Sequence, residues 1–101
     1  MKYVINKKIY NTETSEIIAT YDNGYGYSDF NWCEEVLYKT KKGTFFLVGE
    51  GGPISQYSKA IPGGFTSGKR IEILSQDEVL QWLERRGKHK VASELFELEE
   101  G

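Results

Sequence analysis

Apolar residues recur at alternate positions in short stretches through the first half of the chain, and at three- and four-residue spacing in its last third. The first pattern predicts strands and the second helices. The plainest strand pair lies in the segment Glu34 to Pro53, EEVLYKTKKGTFFLVGEGGP. Val36, Tyr38 and Thr40 alternate with Leu37 and Lys39, and Thr44 to Val48 returns in β-branched, aromatic and aliphatic residues that suit a pleated surface. Lys41 and Lys42 fit the centre of a type I turn, and Gly43 supplies the positive φ of the bulge that follows such a turn. Upstream, Tyr3 to Ile5, Lys8 to Asn11 and Glu16 to Tyr21 are expected as short strands, the last two paired across the polar turn Thr12-Glu13-Thr14.

The segment Gly49 to Gly68 is rich in glycine and holds both prolines, Pro53 and Pro62, so a long ordered loop is expected there before a last strand, Lys69 to Leu74. Ser75 then caps a helix, with Glu78 placed to reach back to it and Asp77 beside the positive end of the dipole. Val79, Leu80 and Leu83 form its apolar face with Trp82 alongside, and Gly87 is placed to end it after Arg85 and Arg86. A second helix is expected from about Lys88, with Val91, Ala92, Leu95, Phe96 and Leu98 on one side and Glu94, Glu97, Glu99 and Glu100 on the other side and at the end. The predicted class is α+β: an antiparallel β-sheet built from hairpins, covered on one face by two C-terminal helices.

With 101 residues, of which 39% are hydrophobic, the chain predicts one domain over residues 1–101 and a single core. A formal net charge of -2 argues against tight, nonspecific nucleic-acid binding, which draws on clustered positive charge. No apolar run reaches membrane-spanning length and the start MKYVINKKIY lacks the apolar core of a secretory signal, so a cytoplasmic protein without membrane contact is expected. The single cysteine, Cys33, agrees with a reducing compartment.

Candidate chemistry is sparse. Gly63, Gly68 and Lys69 reproduce the spacing of a phosphate-cradling loop, but Arg70 stands where the metal-binding hydroxyl belongs, Pro62 precedes it, and RIEIL reads as a strand where a helix must start. The other glycine cluster, Gly49 to Pro53, reads as a sharp turn, with close approach of a ligand or partner to the backbone as the alternative. Cys33, His89 and Asp29 are the residues available for a thiol triad, yet His89 sits between lysines in KHK, a setting that suits a solvated helix start. One cysteine and one histidine make no zinc site, the carboxylates have no calcium-loop spacing, and Glu34 and Glu35 point to opposite faces of a strand. The sequence therefore predicts a protein that is not an enzyme and holds neither cofactor nor metal. A helix-turn-helix reading fails because the second helix carries Glu94, Glu97, Glu99 and Glu100 with no cation after Lys90. Arg85, Arg86, Lys88 and Lys90 are either a solvated helix junction or a contact for RNA or an acidic protein face.

The phrases IYNTETSEIIATYDNG, DFNWCEEVLYKTKKGTFFLVGEGG and ILSQDEVLQWLERRG, which together span most of the chain, resemble a group of small proteins encoded by phages and other mobile elements of Gram-positive bacteria. That resemblance implies an anti-defence protein, an inhibitor that binds a host protein or ribonucleoprotein such as a CRISPR-Cas effector. The residues suggest where binding would occur. DNGYGYSDFNW crowds Tyr25, Tyr27, Phe30 and Trp32 between glycine breaks, and aromatic residues concentrate binding energy at interfaces. Each ring alternatively completes the core of a small domain. The expected partner surface comprises these four residues with Lys41, Lys42, Arg85 and Arg86; a small RNA-binding protein using basic residues and stacking rings is the competing expectation.

Overall fold

A computed structural model describes residues 1–98 and 101. The chain forms eight strands and two helices in the order β1 (Lys2–Ile5), β2 (Lys8–Asn11), β3 (Glu16–Asp22), β4 (Cys33–Lys39), β5 (Phe45–Gly51), β6 (Lys59–Ile61), β7 (Gly64–Thr66), β8 (Gly68–Leu74), α1 (Gln76–Arg85) and α2 (His89–Leu95). The class is α+β, as the periodicities predict. Its centre is a four-stranded antiparallel sheet in the order β3-β4-β5-β8, with β3 and β8 outermost and a bulge in β3 where the register shifts between Ile17 and Ala19. The central hairpin forms as expected: Lys39 pairs with Phe45, Gly43 N–H donates to Thr40 O at 2.9 Å, and Gly43 takes φ +89.

The N-terminal pairing differs from the expectation. β2 pairs with β1 rather than β3, through a two-residue turn at Asn6 and Lys7 that joins Ile5 to Lys8. Both turn residues have positive φ, 51° and 66°, the conformation that matches the right-handed twist of a tight hairpin. Thr12 to Ser15 makes a turn around Asn11, whose side chain accepts from Glu13 N–H at 3.0 Å and whose carbonyl accepts from the Ser15 hydroxyl at 2.7 Å. That turn sends the chain into a different sheet. Gly49 to Gly68 is likewise not one loop: β5 runs through Gly51, residues 52–58 cross the sheet, β6 and β7 form a small hairpin, and β8 begins at Gly68.

Both faces of the sheet are covered, which explains why Phe45-Phe46-Leu47-Val48 is apolar without alternation. On one face Leu37, Phe45, Leu47 and Ala19 meet Val79, Trp82 and Leu83 of α1 and Ala92 of α2. On the other, Phe46 and Val48 pack under the β1–β2 hairpin through Tyr10, with Tyr3, Ile5, Tyr38 and Ile71 around them. Tyr38 stacks on Phe46 at 4.9 Å between centroids and Tyr10 meets the same ring edge-on at 5.6 Å. The two helices thus cover one face, as expected, and a hairpin covers the other.

α1 begins where its capping box predicts, with Ser75 Oγ accepting from Glu78 N–H at 3.2 Å and Glu78 Oε1 accepting from Ser75 N–H at 3.0 Å. Gly87, at φ +70, ends it: its N–H donates to Glu84 O and Lys88 N–H donates to Leu83 O, satisfying the last carbonyls. α2 ends at Leu95, so Leu98 lies beyond the apolar stripe and is exposed; Glu99 and Glu100 lie outside the described residues.

Candidate functional site

The segment between β3 and β4 is irregular yet tightly bonded, because Asn and Asp side chains take the place of a strand ladder. Asn23 exchanges two bonds with Cys33, N–H to O and Oδ1 from N–H, both at 3.1 Å, and its amide donates to Asn31 O at 2.7 Å. Asp29 Oδ1 accepts from Asn31 N–H at 2.8 Å, and a second segment braces the loop from beneath: Gly52 N–H donates to Trp32 O and Ile54 N–H donates to Phe30 O, each at 2.9 Å. On this frame Tyr25, Tyr27 and Phe30 stand 55%, 70% and 64% exposed, with Ile54 63% exposed beside Phe30. Trp32 is partly buried and takes the Tyr27 ring edge-on at 4.7 Å. The Tyr27 hydroxyl donates to Glu34 Oε1 at 2.7 Å, and that bond, ahead of desolvation and neighbouring carboxylates, lifts its phenol above the ordinary value. The rings are held out by structure rather than left out by disorder.

Behind the loop lies a polar cluster that the sequence did not announce. Glu35 is only 2% exposed and points toward α1. Its Oε1 accepts from Trp82 Nε1 at 3.1 Å and from Arg86 through Nε at 2.7 Å and Nη2 at 2.6 Å, while the Tyr57 hydroxyl donates to Oε2. Arg86 also lies 3.9 Å above the centroid of the Tyr21 ring. Burial, followed by the bond to Glu35, pushes the Tyr57 phenol well up from its ordinary value. Among the described residues no buried side-chain nitrogen or oxygen lacks a partner. A carboxylate so fully engaged fastens α1 and the 52–58 segment to β4 and leaves nothing free for acid or base chemistry.

The glycine cluster on β5 belongs to this arrangement; the sharp turn its composition suggests forms only at its end, where Ser55 N–H donates to Gly52 O at 3.0 Å around Pro53. Gly49 and Gly51 are extended strand residues; a Cβ on Gly49 would enter the Tyr57 ring and one on Gly51 would meet the Ser55 side chain. Gly68, opposite Gly51 in the register, lies just as close to the Tyr57 backbone. Close approach is the reason for these glycines, and what approaches is the chain's own crossing segment.

The remaining sequence candidates are dispersed. Lys41 and Lys42 are exposed at the far end of β4 from the aromatic loop, roughly 20 Å away at the rise of an extended strand. Arg85 is exposed on α1, whereas Arg86 next to it is partly buried and committed to Glu35 rather than solvated. The eight expected contact residues therefore form no single surface: Tyr27 and Trp32 are in ring contact and share one segment with the exposed Tyr25 and Phe30, the two lysines stand apart, and the arginines diverge. The Cys33 thiol is buried and raised by desolvation before any other influence, with the Gln56 amide 3.9 Å away, so it lacks the character of an activated nucleophile. His89 is exposed at the start of α2. Gly63 sits in the β6–β7 hairpin and Lys69 in β8, paired with Glu50, so no helix N-terminus faces that glycine spacing. Among the described residues no three His, Cys, Asp or Glu side chains are grouped to hold a metal, and no helix is long and apolar enough to cross a membrane. Comparison with protein-family models, curated proteins and solved structures finds no match to this chain.

Proposed function

We propose that the protein is a non-catalytic binding module that docks its aromatic loop on a larger host protein or nucleoprotein and inhibits or modulates it. One observation carries this reading: Tyr25, Tyr27 and Phe30 are all largely exposed on a segment fixed by backbone and Asx hydrogen bonds, with Ile54 of the bracing segment exposed beside Phe30. Exposed apolar side chains on a mobile loop would lose much of their binding energy to ordering. On a braced loop that cost is already met by folding, and rings of this kind supply interface hot spots. The resemblance of the chain's long phrases to mobile-element proteins points to a defence nuclease, such as a CRISPR-Cas effector, as the partner class.

The test is affinity capture from a host lysate, with and without nuclease treatment, by the parent and by the double variant Tyr25→Ala, Tyr27→Ala. Capture of a protein or nucleoprotein by the parent is expected. The variant should bind it more weakly by about 2 kcal/mol or more, with a melting temperature near the parent's, since neither ring belongs to the core. A variant that captures at full affinity, or one that unfolds, refutes the assignment of the loop. Recovery of RNA alone, abolished by nuclease, transfers the function to nucleic-acid binding.

A further inference from the structure

The turn lysines, distant from the aromatic loop, are not isolated. The β4–β5 turn and the β1–β2 turn border a groove of about 490 Å³ that Lys41, Lys42, Lys7 and Lys8 all line. The hydroxyl residues Thr14, Ser15, Thr40 and Thr44 share its lining, and no Asp or Glu does. Among the described residues none of the four lysines has a carboxylate within ion-pair distance. In a chain of net charge -2, four cations line one groove while the carboxylates of Glu13 and Glu16 stand in the adjoining hollow, so the groove itself carries positive charge, opposite in sign to the whole.

Lys7 adds a second observation. It occupies the second position of the two-residue turn with φ 66°, where glycine would be free of strain and a side chain is disfavoured. A lysine thus stands where the backbone of the turn favours glycine, and that lysine is among the residues lining the groove.

We propose that this groove is a binding site for a compact anion carrying two or more phosphate groups. Lysine ammonium groups neutralise such an anion as point charges, and hydroxyls donate to its oxygens. Recognition stops at the phosphates: the one aromatic residue in the lining, Tyr10, is buried under the hairpin and offers no face for a base. A longer nucleic-acid backbone fits less well, because beyond Lys41 the surface continues into a hollow where Glu13 and Glu16 set two carboxylates against one further cation, Lys39.

Titration calorimetry with inorganic tripolyphosphate, ATP and a 20-nucleotide single-stranded RNA at low salt tests the site. Tripolyphosphate and ATP are expected to bind with affinities within about threefold of each other, weakening steeply as salt rises. Lys42→Gln and Lys7→Gly should each lower affinity by about fivefold, at the upper end of what one exposed charge pair supplies. Lys7→Gly should at the same time raise the melting temperature by relieving the turn, so that lost binding cannot be lost folding. Lys69→Ala should leave affinity unchanged. Absence of tripolyphosphate binding at millimolar concentration, full affinity in Lys7→Gly, or a loss in Lys69→Ala overturns the proposal. RNA binding much tighter than tripolyphosphate overturns the choice of a compact anion.

Discussion

Replacing Arg86 with alanine isolates what the buried cluster contributes. The Glu35 side chain is 2% exposed and that of Arg86 16% exposed, so the substitution strands a desolvated carboxylate with only the Trp82 indole and the Tyr57 hydroxyl for donors. Breaking one partner out of a buried ion pair costs about 3–5 kcal/mol. The low end applies here, because Arg86 borders an open hollow of about 270 Å³ through which water can reach the vacated position. About 3 kcal/mol is a large fraction of the ~5–15 kcal/mol that holds a domain of this size folded. In urea, with an m-value of about 1.5 kcal/mol/M, the unfolding midpoint should fall by about 2 M. Arg86→Lys should recover only part of the loss: an ammonium keeps the charge but reproduces neither the two-nitrogen grip on Oε1 nor the planar stack on Tyr21. Arg85→Ala, one residue earlier and exposed, should stay within about 0.5 kcal/mol of the parent. If Arg86→Ala and Arg85→Ala unfold at the same urea concentration, the cluster is not the fastening described above.

Three further outcomes are expected. Leu83, fully buried between α1 and the sheet, should cost about 2–5 kcal/mol when truncated to alanine, read as a lower denaturation midpoint at unchanged m. Gly49→Ala should destabilise by about 3 kcal/mol or more because its Cβ displaces the Tyr57 ring, and by under about 1 kcal/mol when Tyr57 is already alanine; equal costs in the two backgrounds would mean the ring is not what meets it. The raised Tyr57 phenol makes stability depend on pH: native protein holds the proton more tightly than unfolded chain, so the contribution is whole below about pH 10 and declines as pH rises further. Urea midpoints measured between pH 9 and 11 should therefore fall more steeply in the parent than in Tyr57→Phe.

What the sequence discloses follows from how local the causes are. The Ser75 and Glu78 capping box, the Gly87 stop and the Gly43 bulge are written within a few residues of one another, and each forms as read. The pairing of β2 with β1 is hard to read locally because Asn6-Lys7 carries no glycine, although its asparagine tolerates positive φ and the two apolar strands on either side leave room for a two-residue turn alone. Glu35 was legible only as half of a pair on opposite strand faces. Its partners Tyr57, Trp82 and Arg86 lie 22, 47 and 51 positions away, a separation no local pattern encodes. The same limit applies to the β5 glycines, whose neighbour is Tyr57 and not an adjacent residue. Exposure of Tyr25, Tyr27 and Phe30 was hinted at by the flanking glycines, but the bracing by Gly52 and Ile54 that fixes them depends on the tertiary fold.

The central sheet ends on both sides in strands with one free row of backbone groups, and such rows recruit strands from other molecules. Each border carries its own deterrent. On β3 the register shift between Ile17 and Ala19 breaks the regular spacing that an incoming strand would need to match. On β8 Lys69, Arg70 and Glu72 set charge along the border, so a second chain laid against it would have to strip their hydration. Edge-to-edge addition is thereby disfavoured at both borders of the central sheet, so the exposed rings can face a partner without the sheet itself recruiting one.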